Sequence, residues 1–220
     1  AVALEVFQAS GNRSFEGTTL NNIGAIYYAQ GHYVEALEIL QQALAVDQEL
    51  DDQARKAGTL YNIGAVYREL GRYAEALAAF EQVLTVTREV GDRSREGITL
   101  NDIGTTYYHR GRYAEALEAF QQALAIEREM GNRFEEGRTL NNIGLMLDHQ
   151  GHYAKALDVL QQAMVIQQEV RDVEGKAYTL NNIGLVYLAV GSYQEALQAS
   201  MDALDVYREI GQRKEEAGAL

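Results

Sequence analysis

The sequence has no cysteine, no proline and no tryptophan among its 220 residues. Without cysteine there is no disulfide framework, thiolate zinc site, iron–sulfur cluster or cysteine nucleophile. Basic residues are scarce as well: 19 Lys and Arg stand against 32 Asp and Glu, a formal net charge of -13. Nucleic-acid binding needs Lys and Arg to replace phosphate counterions, and docking on anionic lipid needs them too, so neither partner is expected. No apolar run reaches the ~18 residues of a transmembrane helix. The opening residues, Ala1-Val2-Ala3-Leu4-Glu5, place no basic segment ahead of an apolar one, as a signal peptide would. A cytoplasmic chain is expected. The 47% of hydrophobic residues is ample for a core.

What the sequence does contain is a repeat. Leu20, Leu60, Leu100, Leu140, Leu180 and Leu220 recur every 40 residues. Asn-Ile-Gly stands at Asn22, Asn62, Asn142 and Asn182, with Asp102-Ile103-Gly104 in the middle copy. Gly-x-Tyr follows at Gly31/Tyr33, Gly71/Tyr73, Gly111/Tyr113, Gly151/Tyr153 and Gly191/Tyr193, and Ala-Leu comes next, as in Ala36-Leu37.

Each copy reads as two helices. Leu20, Ile23 and Tyr27 draw one apolar stripe at helical spacing. Gly31 then stops the first helix in a left-handed conformation. Tyr33 opens the second helix, whose stripe of Ala36, Leu37, Leu40, Ala43 and Leu44 runs to about Leu50. A second break is expected at Gly91-Asp92, Gly131-Asn132 and Gly211-Gln212. Asp51-Asp52 and Arg171-Asp172 replace the glycine, and there the turn is expected to be tighter or helical for one more residue. Gly24, Gly64, Gly104, Gly144 and Gly184 sit inside the first helix, each at a cost of roughly 1 kcal/mol against Ala. That cost predicts a partner helix too close for a β-carbon, with Ala36 and Ala43 opposite and Tyr27 and Leu40 filling the gap. One pair of helices cannot bury both stripes alone, so neighbouring pairs must stack.

The pattern resembles the tetratricopeptide repeat. The family's W-x2-L-G-x2-Y appears as Leu20-x2-Ile23-Gly24-x2-Tyr27, and its A-x3-F as Ala76-x3-Phe80 and Ala116-x3-Phe120. The family's usual proline after the second helix is missing, and the period exceeds the common ~34 residues. Both point to longer, uninterrupted helices. This variant is similar to the arrays of Pins/LGN-type adaptors, of kinesin light chains and of bacterial signalling proteins. The resemblance implies an all-α fold, a right-handed α-solenoid of stacked antiparallel helix pairs. Five units are expected, at 11–50, 51–90, 91–130, 131–170 and 171–210. Residues 1–10 then end a truncated second helix, because Ala3-Leu4-Glu5-Val6 aligns with Ala43-Leu44-Ala45-Val46. Residues 211–220 would begin a further first helix. Neither end turns polar, as capping repeats do, which suggests a piece of a longer array or a surface for stacking.

In the family the first helices line a concave wall, and this implies where a partner sits. Asn22, Asn62, Asn142 and Asn182 form one inward row, with Asn21, Asn101, Asn141 and Asn181 beside it. Asn is a poor residue for helix interiors, but its amide offers a donor and an acceptor that match a peptide backbone. At about ~10 Å per helix pair the row can hold an extended peptide. The alternative is that these amides bond only to the neighbouring helix. Tyr28, Tyr61, Tyr108 and Tyr178, with Arg68 and Arg138, are the expected anchors of an interface. The resemblance to co-chaperone repeats implies that capture of a free carboxylate tail needs Lys or Arg at the places of Asn21, Asn141 and Asn182, so that ligand is not expected. Most acidity, including Glu35, Glu38, Asp47 and Glu49, is expected on the outer face and in turns. His109 and His149 near Asp102 and Asp148 lack metal-ligand spacing, and no phosphate-binding loop or nucleophile motif appears. No catalytic residue, metal or cofactor is expected. Ser200 stands where other copies have Leu40, Phe80, Phe120 and Leu160, and reads either as looser packing or as a docking notch.

The expected function is a non-catalytic scaffold for a protein or peptide segment. An intramolecular regulatory array of a larger signalling protein, or head-to-tail self-association through uncapped ends, are the alternatives.

Overall fold

The structure, a computed structural model, describes residue 7 and residues 9–218, with side chains described as far as residue 211. Residues 3–6, which the repeat assigns to a second helix, lie outside the described residues. Ten α-helices follow one another among the described residues from Arg13 onward, and no strand occurs there. The chain divides into two compact units, residues 1–110 and 111–220, so the division falls between the two helices of the third copy.

The first unit holds α1 (Arg13–Ala29), α2 (Tyr33–Glu49), α3 (Gln53–Glu69), α4 (Tyr73–Val90) and α5 (Arg93–His109). Short turns fold each helix back on its predecessor. At every first-helix start an Asx side chain caps the backbone: Asn12, Asp52 and Asp92 accept from the N–H of Phe15, Arg55 and Arg95. Such a cap is worth about 1 kcal/mol. Gly31, Gly71 and Gly91 end the helices before them with φ of 71–78°.

Asp51 takes the same left-handed conformation at φ 52° without being glycine. The turn is therefore neither tighter nor extended: α2 ends at Glu49, one residue earlier than the corresponding Val90 of α4.

Consecutive helices pack on each other, and the first helices α1, α3 and α5 also approach one another. The second helices α2 and α4 do not, so the first helices form the tighter inner wall of this unit. Its core runs through Leu20, Ala43 and Val46, then Ala36, Leu40, Ile63 and Val66, then Ala57, Leu60, Val83 and Val86.

The second unit holds α6 (Tyr113–Met130), α7 (Arg133–His149), α8 (Tyr153–Glu169), α9 (Val173–Ala189) and α10 (Tyr193–Gly218). Asn132 and Asp172 cap α7 and α9. Arg171 takes the left-handed turn position at φ 59°. Here α7 and α9 are the neighbouring first helices. Leu140, Ala163 and Ile166 make one core cluster, and Ala156, Leu160 and Val186 another.

Three expectations need correction. The close approach at the interior glycines comes from a large side chain of the second helix rather than from its backbone. A Cβ on Gly24 or Gly144 would lie 2.5 Å from Cγ of Leu40 or Leu160, and one on Gly64 2.7 Å from Cε1 of Phe80. At Gly184 the neighbour is Ser200 Oγ at 3.1 Å; Ser200 is exposed and its hydroxyl donates to the Ala196 carbonyl. The break expected at Gly211 does not occur, because α10 runs unbroken to Gly218. Gln212 occupies the place that Asn12, Asp52, Asp92, Asn132 and Asp172 use for capping, so no short acceptor starts a new helix there. Finally, Asp47 is not an outer-face acid: it is 1% exposed, and accepts from Arg55 Nε at 3.1 Å and from Thr59 Oγ1 at 2.7 Å.

Candidate functional site

The inner wall of the first unit begins with an amide pair. Asn62 Nδ2 on α3 donates to Asn21 Oδ1 on α1 at 3.0 Å. Among the described residues the Asn62 side chain makes no other hydrogen bond, so its Oδ1 and one N–H have no partner there. Asn22 is exposed beside it, and Asn101 on α5 is half-buried. Cavities open on this wall. One of about 480 Å³ is lined by Asn21, Gly58, Tyr61, Asn62, Arg95 and Ile98. A smaller one of about 150 Å³ is walled by Tyr28, Tyr61, Asn62 and Arg68.

Two of the expected anchors are already engaged. The Tyr61 hydroxyl donates to Asp102 Oδ2 at 2.5 Å, and Arg68 forms an ion pair with the other oxygen of the same carboxylate. Burial, reinforced by the Asp102 charge, pushes the Tyr61 hydroxyl well above the ordinary tyrosine range. Tyr61 and Arg68 therefore act as a rigid strut between α3 and α5, contrary to the reading of both as open contact residues. Tyr28 packs against Tyr33 at 5.7 Å between ring centroids, and burial raises its hydroxyl pKa too. Tyr108 is half-buried against His109.

The second unit carries a similar wall. Asn182 Nδ2 on α9 donates to Asn141 Oδ1 on α7 at 2.9 Å, and Thr179 donates to the same oxygen at 3.1 Å. Asn142 and Asn182 line a cavity of about 490 Å³ together with Arg138, Asn141, Leu145 and Tyr178. Asn181 is exposed. Arg138 donates from Nε to Asp172 Oδ2 at 3.1 Å and lies 4.4 Å from the Phe134 ring centre. Tyr178 is 59% exposed and meets Tyr207 edge-on, which makes it the most open of the four tyrosines.

Asn62 and Asn182 thus lie on the first-helix walls, each within its own unit, and each bonds to the neighbouring first helix. Each of the two also borders a cavity, whereas Asn22 is exposed. Sequence reasoning missed Arg95, in the first turn of α5, which lines the 480 Å³ cavity, and Arg55, in the first turn of α3, which with Arg95 lines an adjoining cavity of about 350 Å³. Their shared register, 40 residues apart, was a signal in the sequence.

The histidines have a packing role. His109 stacks on Tyr73 and His149 on Tyr113, with interplanar angles of 6° and 4°. Among the described residues no group of three or more His, Asp or Glu comes together to hold a metal ion. No helix of the described residues is long and apolar enough to cross a membrane.

Comparison with solved structures shows the same fold at low identity. BtubC (BKLC) from P. vanneervenii matches with a TM-score of 0.81 and 18% identity over 95% of this chain and 88% of that one. The Rap conjugation gene regulator of the plasmid pLS20, in complex with the Phr* peptide, matches with a TM-score of 0.77 and 17% identity, over 96% of this chain. A STAND (Signal Transduction ATPase with Numerous Domains) protein with a tetratricopeptide repeat sensor, from Pyrococcus horikoshii, gives 0.76 and 18% over 91%. This chain spans 58% and 31% of those two proteins. Comparison with the curated proteins gives no match. The family model described as Tetratricopeptide repeat matches residues 3–49, 55–129 and 135–209, and a second of the same description matches 101–168. The chain belongs to the tetratricopeptide repeat family.

Proposed function

We propose that the chain is a non-catalytic interaction scaffold whose first-helix walls take an extended peptide or protein segment. The observation that carries this reading is the amide pair repeated in both units. Asn62 and Asn182 each spend one N–H on the preceding first helix and turn the remaining donor and acceptor to a cavity of several hundred Å³. A peptide bond presents the complementary acceptor and donor. Arg68, Tyr61 and Asp102 stiffen the wall in the first unit, which lowers the ordering cost of binding. Tyr178 and Arg138 offer contact surface in the second. The peptide complex of the pLS20 Rap regulator, which has the same fold, is in keeping with such a ligand.

The test is titration of peptides, selected on this chain from a random library, against wild type and the Asn62→Ala/Asn182→Ala double variant. Affinity should fall at least tenfold, the loss of about two hydrogen bonds, with unchanged helical circular dichroism. Equal affinity would sink groove capture.

Two other roles have specific support. The STAND protein's tetratricopeptide repeat sensor supports a regulatory array within a larger protein. Leu197, Met201 and Leu204 on α10 are 48–63% exposed, which supports stacking of a further helix pair or a second copy on that face. A monomeric mass in light scattering at high concentration would remove self-association.

A further inference from the structure

Asp47, Thr87, Glu127 and Gln167 share one register near the ends of second helices, and all four are buried polar residues. At Asp47, Arg55 and Thr59 of the next first helix donate to the carboxylate. At Glu127, Thr139 donates to Oε1 at 2.8 Å. Gln167 on α8 has neither kind of donor. Gly175 stands in the place of Arg55, and Thr179, in the place of Thr59 and Thr139, gives its hydroxyl hydrogen to Asn141 Oδ1. Gln167 Nε2 donates to the Gly137 carbonyl at 3.3 Å, but among the described residues nothing donates to its buried Oε1. A buried acceptor without a donor is rare in a folded chain.

Gln167, although only 1% exposed, lines the 490 Å³ cavity of the second unit, and Gly175 lines it as well. A Cβ on Gly175 would collide with the Asp172 carboxylate and stand 3.1 Å from Gln167 Nε2, so the absent side chain is one that would have covered the Gln167 amide. On the same lining Asn141 accepts from Asn182 and from Thr179 through Oδ1, and its NH₂ group makes no hydrogen bond among the described residues. The lining carries one charge of each sign. Arg138 is held by Asp172, which caps α9, and Glu174 supplies the opposite charge. Leu145 and Tyr178 add apolar surface.

We propose that this cavity is a subsite for one carboxamide side chain, Gln or Asn, of an extended peptide on the second unit's inner wall. Its NH₂ group gives Gln167 Oε1 the donor that the fold withholds, its oxygen accepts from Asn141 Nδ2, and its methylenes lie on Leu145 and Tyr178. The balance of charge selects a neutral occupant. A carboxylate has no hydrogen to give and would set oxygen against oxygen. An ammonium cannot accept from Asn141 and would stand beside Arg138. The subsite rests on the peptide-binding reading above and assigns one required residue type of that ligand.

The experiment selects a random twelve-residue peptide library on the whole chain and titrates the recovered peptides by fluorescence anisotropy. Peptides that lose affinity in Asn182→Ala lie on the second unit's wall, and these should share a Gln or Asn. Its change to Glu or Asp, or to Met or Leu, should weaken binding about tenfold. Gln167→Met keeps the length of the side chain and removes the acceptor. It should cost about tenfold for the amide peptide and under about twofold for that peptide's Met version, with unchanged helical circular dichroism. Should Gln167→Met fold poorly, Gln167→Thr, which copies Thr87 of the second repeat, carries the same test. Free glutamine at millimolar concentration should not compete; full competition would overturn a peptide side chain as the occupant. Peptides that depend on Asn62 alone, or on Asn182 with no response to the Gln167 variants, would overturn the subsite and leave groove capture standing. Recovery of no binding peptide, or binding indifferent to Asn62→Ala/Asn182→Ala, would overturn both.

Discussion

Two glycine-to-alanine changes should move stability in opposite directions. In α3, Gly58→Ala adds a methyl group where nothing lies within 4 Å. Only helix propensity changes, and the gain is about 0.5–1 kcal/mol. In α7, Gly144→Ala gains the same propensity but places its Cβ 2.5 Å and 2.6 Å from Cγ and Cδ2 of Leu160. Leu160 is fully buried, so it cannot swing aside into solvent. Overpacking of this kind costs about 1–3 kcal/mol, which leaves a net loss of up to about 2 kcal/mol. Repeat arrays open locally as well as globally, so amide hydrogen exchange in α3 and α7 is the direct readout, with urea titration alongside. A double variant supplies the control. Leu160→Ala alone should cost about 2–5 kcal/mol, and in its background Gly144→Ala should become stabilising, because the obstructing atoms are gone. If Gly144→Ala alone stabilises α7 as much as Gly58→Ala stabilises α3, side-chain occlusion is not why the repeat keeps its glycine.

Four further outcomes are expected. Arg171→Gly and Asp51→Gly should each stabilise the chain by about 1 kcal/mol in thermal unfolding, because both residues hold a left-handed φ that glycine adopts without strain. Asp47→Ala should cost about 1–3 kcal/mol in chemical denaturation, since it leaves the buried Thr59 hydroxyl without its acceptor and removes one partner of Arg55, which keeps its bonds to Ser14. Burial works to raise the Glu96 and Glu136 carboxyls, but hydrogen bonds from Arg88 and Arg93, and from Arg128 and Arg133, outweigh it and hold both below the ordinary glutamate value. Their stabilisation is complete above the unfolded pKa of ~4.3 and is lost as pH falls through the lower folded values, so the melting temperature should drop in that acid range, and less steeply in Glu96→Gln/Glu136→Gln. Tyr61→Phe removes the donor to Asp102 and should cost about 1–3 kcal/mol by denaturant titration while leaving α1 and α2 unchanged in hydrogen exchange.

The helices were legible because their determinants are local. Gly31 and Gly71 end first helices where a left-handed residue is required, and the apolar stripes repeat at helical spacing. The inward asparagines were legible from register alone, since residues 40 apart occupy equivalent places. What sequence could not give was the partner each side chain chooses across a gap. Asp47 looks like a surface acid in its own helix, and only the approach of Arg55 and Thr59 from the next one buries it. Tyr61 and Arg68 look open until Asp102, on the following first helix, claims both. The continuation of α10 is a different case: Gly211 predicts a break, but Gln212 brings no Asn or Asp to cap a following helix, and the helix runs on.

That absence has a consequence for how such arrays are edited. Within a copy glycine breaks the chain without help, as at Gly31 and Gly71, where the following His32 and Arg72 make no side-chain cap; at the joints between copies a short acceptor is added, which holds a backbone N–H three residues on, as at Asp92 and Asn132. A one-letter change, Gln212→Asp, supplies the missing character. Each joint between copies thus carries one side-chain oxygen that the turn within a copy does without.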